Sequence, residues 1–301
     1  MVGTAACWIA AAVAIAVCFG MVAYLLGQGV HALNLKFLMT DPNGSLTTNA
    51  AGGVRSPLAG TLLLAVLGTA AMIPFALGTA IYLSEYMRED WPLTRYVRLG
   101  LEVLAGVPSV VFGMFGLALF SVPVLAFMSS KASADAASAF GRSFAIGAVI
   151  MALHILPFVT KAMEEALHSV PQSYRSGAAA LGLTKWRTTR KVVVPAAAPG
   201  IVTAVILGLG LIIGDTAIVW LTVGGTMQMS GSDTWWLPWH WLATIFGTGS
   251  TLTTYIFFNS PAGEGNAPQQ AYAAAVVLIA IVLALNLTIA WIGRSRKIKS
   301  S

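Results

Sequence analysis

The side chains that could do chemistry are few and scattered. The four histidines, His31, His154, His168 and His240, fall on four different segments, and none stands three or four residues from another. A metal-dependent hydrolase built on a helix needs two histidines at that spacing with a carboxylate. General acid–base work needs carboxylates that converge. Here Glu164 and Glu165 follow an apolar run and read as solvated. No stretch reads G-x-x-x-x-G-K-[ST], so the chain has no such loop of its own to cradle the phosphates of ATP. What remains is charge in apolar surroundings, where an ionised group is expensive and therefore a site hypothesis by default. Asp215 stands beside Gly208, Gly210 and Gly214, small residues that permit close helix packing or line a pathway. Glu102 stands one helical turn from Arg98 and is expected to pair with it. His154 reads as a hydrogen-bonded residue inside a helical bundle. One stretch differs in kind: "YRSGAAALGLTKWRTTRKVVVP" (174–195) carries Arg175, Lys185, Arg187, Arg190 and Lys191 in an otherwise oily chain.

The elements that must position these residues are membrane helices. The chain has 301 residues, of which 57% are hydrophobic and 9% charged, and its mean hydropathy is +0.80. Soluble domains carry about 25% charged residues. Six runs approach or exceed the roughly 20 apolar residues that cross a bilayer: about Ala5–Leu26, Pro57–Leu83, Leu99–Phe127, Ser143–Val159, Ile201–Val223 and Ala271–Ile292. The fourth is short and extends if it continues past Pro157. The third is long, and Gly106, Pro108 and Pro123 are expected to kink or break it. The first run has no Lys or Arg ahead of it and outlasts the 7–15-residue core of a signal peptide, so a retained helix is expected. Cys7 and Cys18 lie inside it and read as small apolar residues.

Basic residues set the orientation. With six spans, 13 of the 17 Lys and Arg fall on one side, and only Lys36, Arg55, Lys131 and Arg142 on the other. The rich side is expected to be cytoplasmic, with both termini inside. The net charge of +6 is then a topology signal, and no nucleic-acid-binding module fits between the spans. The longest outside segment, about Gly224–Gln270, holds Trp235, Trp236, Trp239 and Trp241. It reads equally as an interfacial segment or as a short helix packed on the bundle.

The cytoplasmic loop of 160–199 is shaped. Ser169 can cap a helix start with Pro171 in its first turn. Gln172–Leu181 is helix-compatible, and Gly182 suits the left-handed residue that closes it. Thr184 can cap a second short helix over Lys185–Lys191, limited by Pro195. The small residues before Gly182 leave a surface another body can approach. A plain basic loop and a docking element both fit this pattern. The basic helix suits the anionic inner leaflet or an acidic partner.

The same loop resembles that of ABC-transporter permeases of bacterial importers. Their pattern is Glu-Ala-Ala, three residues, Gly, nine residues, then aliphatic-x-aliphatic-Pro. The frame falls here on Ser176-Gly177-Ala178, Gly182 and Val192-Val193-Val194-Pro195, with the spacing intact. "LAGVPSVVFGMFGLALF" (104–120) and "IIGDTAIVWLTVGG" (212–225) resemble phosphate-specific importers. "GSTLTTYIFFNSPAGEG" (249–265) is similar to their A-type more than their C-type permease. Three positions depart: Ser176 replaces the motif's acid, Gly177 replaces alanine, and Asp215 replaces the usual glutamate. The resemblance covers roughly 55–293. It implies an all-α integral membrane protein with the type I ABC importer permease fold. Residues 1–56 hold a first helix and outside loop, 57–293 the core, and 294–301 a basic tail.

It further implies a non-enzymatic subunit of a bacterial plasma-membrane importer that binds no cofactor itself. ATP would be hydrolysed by a cytoplasmic ATPase dimer docked on Ser176, Gly177, Ala178, Ala179 and Gly182, oriented by Lys185, Arg187 and Arg190, with Pro195 closing the motif. The other expected partners are a second, C-type permease, an external phosphate-binding protein and membrane lipid, but not nucleic acid. Asp215, with Gly214 and Thr216, and Glu102 and Ser109 of the third span are the pathway candidates. Asp215 could pair with a base, accept a hydrogen bond from a protonated phosphate oxygen, or be a structural bundle residue. A permease of the same fold for another solute, such as a different oxyanion, is the alternative.

Overall fold

The computed structural model describes residues 2–42, 52–87, 91–129, 141–225, 240–265 and 267–295. Among them there is no β-strand, only a single bridge between Pro42 and Gly52. Five helical rods are long and apolar enough to cross a bilayer: 6–32, 55–86, 144–168, 185–214 and 268–291. A sixth span is the pair α4 (Pro92–Gly106) and α5 (Ser109–Phe120), bent by 101°. Two of the three expected breakers of the third run thus act together. Gly106 ends α4, and Pro108, whose ring disfavours helix in the residue before it, leaves Val107 extended. α4 turns away from α5 and packs on α6, with Arg95 and Glu102 exposed on it.

Three rods form the heart of the bundle: α3 (Arg55–Ile81), α6 (Phe144–His168) and α9 (Val194–Gly214). Leu64, Met72, Ile155, Val159, Met163, Ala204 and Ile212 are among the side chains buried where they meet. The seam is tight at Gly208, where a Cβ would come 2.7 Å from both Met72 Sδ and Val159 Cγ2. α6 starts at Ser143, whose hydroxyl accepts from the Ile146 amide at 3.1 Å. It runs through Pro157 as one helix of 25 residues, so the fourth span is the longer of the two expected versions.

Around this heart, α13 (Pro268–Ser295) packs on α9 through Leu278, Val282, Leu285 and Ile289. It also packs on α12 (Leu252–Asn259), which opens with a Thr251–Thr254 capping box. The first helix, α1 (Val2–Gly29), touches the rest mainly along α13, with Tyr24 and Tyr272 edge to face at 5.9 Å. Cys7 and Cys18 are free and exposed on it. α2 (Leu35–Met39) sits beneath the start of α3, where Asp41 receives Arg55 at 2.7 Å.

α7 (Gln172–Ala180) and α8 (Lys185–Thr188) make up the loop between α6 and α9. α8 is not a separate short helix ended by Pro195. It joins α9 through a wide π-type turn over Thr189–Val193, and the rod is unbroken from Lys185 to Gly214. Pro195 sits in the first turn of α9, and the wider turn before it accommodates the missing amide. At the far end, α9 stops at Gly214 and α10 (Ala217–Thr222) begins after Asp215 and Thr216. The expected span to Val223 is therefore broken. Trp241 opens α11 (Trp241–Ile245), a short helix beside α6 in which Thr244 is buried and Trp241 itself is exposed. Trp235, Trp236 and Trp239 lie outside the described residues.

Candidate functional site

The loop element is built from its backbone outward. α7 closes with two bonds of a Schellman motif: the Gly182 amide donates to Ala179 O at 2.9 Å and the Leu183 amide to Ala178 O at 3.1 Å. Gly182 has φ +73°, with open space where a Cβ would be, so its requirement for glycine is conformational only. Ser169 does not cap α7. Its hydroxyl donates to Ala166 O at 2.7 Å and finishes α6 instead, while Pro171 leads α7 with no side-chain cap. Thr184 stands at the start of α8 but also makes no side-chain cap.

α7 has two faces. Ala178 is buried, so it is not part of the approachable surface. The open face carries Tyr174, Gly177 and Leu181, which recur at three- and four-residue spacing, with Ala180 beside them. Leu181 is 83% exposed and Trp186 of α8 is 57% exposed. Large apolar side chains grouped at the end of a bundle mark a contact with a protein or a membrane surface. Gly177 was expected on this face from the sequence, whereas Tyr174, Leu181 and Trp186 were passed over in favour of the charges, although the three- and four-residue spacing of the first two about Gly177 was there to find. Ser176 points to the open side and donates to Gln172 O and Ser173 O, both at 3.2 Å. Ala179 lines a cleft of about 720 Å³ between α7, α8 and the ends of α3 and α6 that meet the loop.

The basic residues divide. Arg187 and Arg190 are exposed and have no carboxylate partner among the described residues. Lys185 turns back over the Tyr86 ring, 5.2 Å from its centre. Arg175 is not a free cation. Its guanidinium holds Glu85 at 2.7 Å and also donates to Val170 O at 2.6 Å and Leu167 O at 2.9 Å. Both side chains are largely buried. Exposed ion pairs contribute about 0–1 kcal/mol, whereas removing one partner of a buried pair costs about 3–5 kcal/mol. Glu85 was not singled out from sequence, because 90 positions separate it from Arg175.

A second ion pair links α4 to α6. Arg98 meets Glu164 at 2.7 Å, and His168 Nε2 lies 3.6 Å from the same carboxylate. Two expectations fall here. Arg98 does not pair with Glu102, which is exposed, and Glu164 is buried rather than solvated. The bend between α4 and α5 lays α4 against α6 and brings the more distant acid to Arg98. Glu165 is exposed, as its reading required.

The midspan candidates gather at the two helix breaks. Gly113 lies against Ile218 and Leu221, and Gly116 against Thr222, so α5 and α10 run side by side in one direction. Their first residues, Ser109 and Ala217, stand at the same end. Asp215 is extended, and its Oδ1 accepts from the Ile218 amide at 2.8 Å. The acid therefore caps α10; its partner is a backbone amide, not a hydroxyl or a base. Thr253 of α12 reaches Asp215 O at 3.4 Å. Gly214 is exposed, and Thr216, Ser109 and Asp215 are half-buried. His154 of α6 stands beside α5, its ring 4.9 Å from that of Phe112. Its Nδ1 is buried without a hydrogen-bond partner among the described residues, against the expectation of a bonded histidine. Glu102 is across the α4–α5 break from this group. Among the described residues, no three His, Cys, Asp or Glu converge to hold a metal.

Comparison with known proteins places this geometry. Residues 72–297 match the family described as the binding-protein-dependent transport system inner membrane component. The probable ABC transporter permease protein YqgI of Bacillus subtilis is 29% identical over 94% of this chain and 91% of its own. The phosphate transport system permease protein PstA 2 of Mycobacterium tuberculosis is 33% identical over 97% and 88%. Among solved structures, a bacterial alginate ABC transporter in complex with an alginate-bound periplasmic protein superposes with a TM-score of 0.63 at 14% identity, covering 96% of both chains. An inward-facing MetNI methionine ABC transporter gives 0.57 at 19% identity, over 82% of this chain and 95% of its own. At those identities the likeness is one of fold: that of type I ABC importer permeases.

Proposed function

The chain belongs to the binding-protein-dependent transport system inner membrane components, the permeases of ABC importers, and on that premise we propose that it is the A-type permease subunit of an ATP-driven importer of inorganic phosphate. The observation that carries the coupling part of this reading is α7. It is a short helix closed at Gly182 that offers Tyr174, Gly177 and Leu181 outward, with Trp186 alongside. A cytoplasmic ATPase dimer seats on that face. It binds and hydrolyses ATP, and closure of the dimer moves α7. Ser176 lacks the acid of the motif, so seating rests on shape and apolar contact. The basic ends face the cytoplasm, including both termini. A second permease of C type supplies the other half of the pathway, and an external binding protein delivers the solute. The group at the α5 and α10 breaks, Ser109, Asp215, Thr216 and His154, lines the pathway.

Phosphate as solute rests on the PstA relatives of Mycobacterium tuberculosis, 32% and 33% identical over at least 83% of this chain. The test is uptake of radiolabelled inorganic phosphate by the complex of this chain, its second permease, ATPase and binding protein in proteoliposomes. ATP-dependent uptake is expected. One observation favours a second reading, the same fold serving another solute. The charged side chain at the midspan breaks is an acid, and no Lys or Arg stands in the middle of any span among the described residues. ATP hydrolysis stimulated by a binding protein loaded with another solute, with no phosphate uptake, would establish that reading.

A further inference from the structure

We infer that Glu85 and Arg175 form a clamp that makes α7 move as one body with the inner ends of α3 and α6, and that coupling depends on it. The inference rests on the reading of α7 as the ATPase-docking helix. α7 is nine residues long and lies between two backbone breaks, the extended Pro171 before it and the left-handed Gly182 after it. A helix hinged at both ends swings when pushed, and the push is lost at the hinges. Its packing beyond itself is chiefly against α8 and the π-type turn that follows, both on the same side of the loop. Among the described residues, Arg175 makes the side-chain hydrogen bonds from α7 to the ends of α3 and α6.

That tie reaches three places at once. The guanidinium Nη2 meets Glu85 Oε1 at 2.7 Å, and Nε stands 3.2 Å from the same oxygen. Glu85 belongs to the π-type turn Tyr82–Tyr86 that ends the rod of α3. The same guanidinium donates to Leu167 O in the last turn of α6 and to Val170 O just beyond it. Such a planar fork holds its partners in direction as well as distance, which a lysine ammonium does not. The pair is buried, so salt does not loosen it as it would an exposed bridge. Displacement of α7 is thereby delivered to two rods of the bundle. Arg175 and Glu85 are positioning residues. They touch neither ATP nor solute.

The test uses the full complex, with Cys7 and Cys18 replaced by serine and nitroxide labels at Ser173→Cys on α7 and Leu153→Cys on α6. The label-to-label distance is expected as one narrow distribution without nucleotide and with a trapped ATP analogue. Arg175→Ala broadens it, and Arg175→Lys and Glu85→Gln broaden it less. In the same complexes, solute moved per ATP hydrolysed falls by at least about fivefold in Arg175→Ala, while hydrolysis continues. If the alanine variant fails to fold, Glu85→Gln, which keeps the shape of the pair, still shows the broadening. Unchanged distances and unchanged coupling in Glu85→Gln and Arg175→Lys overturn the clamp. So does a wild-type distribution that is already broad. If Gly182→Val uncouples while the clamp variants behave as wild type, the clamp fails and the docking reading stands. If the ATPase does not bind the wild-type chain at all, the docking reading itself fails, and the clamp falls with it.

Discussion

Gly182 shows how one backbone angle shapes the loop. Its φ of +73° is set by the α7 closure, and no neighbour crowds its missing side chain. Gly182→Val therefore acts by conformation alone, at about 1–2 kcal/mol, whereas Gly182→Asn, which tolerates that region, is expected to keep solute uptake coupled to hydrolysis. The valine variant should reach the membrane and hydrolyse ATP without matching uptake, measured in proteoliposomes. At Asp215 the carboxylate caps α10 through Ile218. Asp215→Asn retains the accepting oxygen and is expected to unfold in detergent at the wild-type temperature. Asp215→Ala loses about 1 kcal/mol. Uptake by the asparagine variant then reports on the charge separately from the cap.

Helices translate such residues into surfaces and seams. The open face of α7 is apolar at Leu181 and Trp186, so Leu181→Asp is expected to abolish co-purification of the ATPase without lowering the amount of chain in the membrane. Loss of Arg187, exposed and unpaired with any carboxylate among the described residues, should lower that yield far less. On the α3–α6–α9 seam, the contacts awaiting a Cβ at Gly208 are 2.7 Å from Met72 and Val159. Gly208→Val overpacks all three rods and is expected to destabilise the chain by about 1–3 kcal/mol, read as a lower unfolding temperature.

For the molecule as a whole, the arrangement is a tight three-rod heart with its breaks gathered on one side and α7 at one end. α3 and α6 both reach that end, through Glu85 and Leu167, so movement imposed there is felt in the heart and not in the peripheral α1. Removing α1 should therefore change uptake much less than breaking the Arg175 contacts, measured side by side in the same vesicles. The orientation itself is tested by a reporter fused after Ser301, which is expected to be active only when facing the cytoplasm.

The membrane class, the six apolar runs, the Gly182 corner and the break near Pro108 were determined by the sequence itself. Each depends on local composition, on a proline or glycine, or on hydropathy over about 20 residues. Tertiary structure decided what depends on residues far apart meeting. Arg98 took Glu164 over the nearer Glu102 because α4 turns across the bundle. Arg175 left the cationic surface to join Glu85. The Lys185–Gly214 rod ran through Pro195 because the turn before it could widen. Asp215, which sequence placed in mid-helix, became a cap where two helices part. Charge and periodicity along the chain say which residues are costly to bury, but only the packed bundle supplies the partner that makes each burial stable.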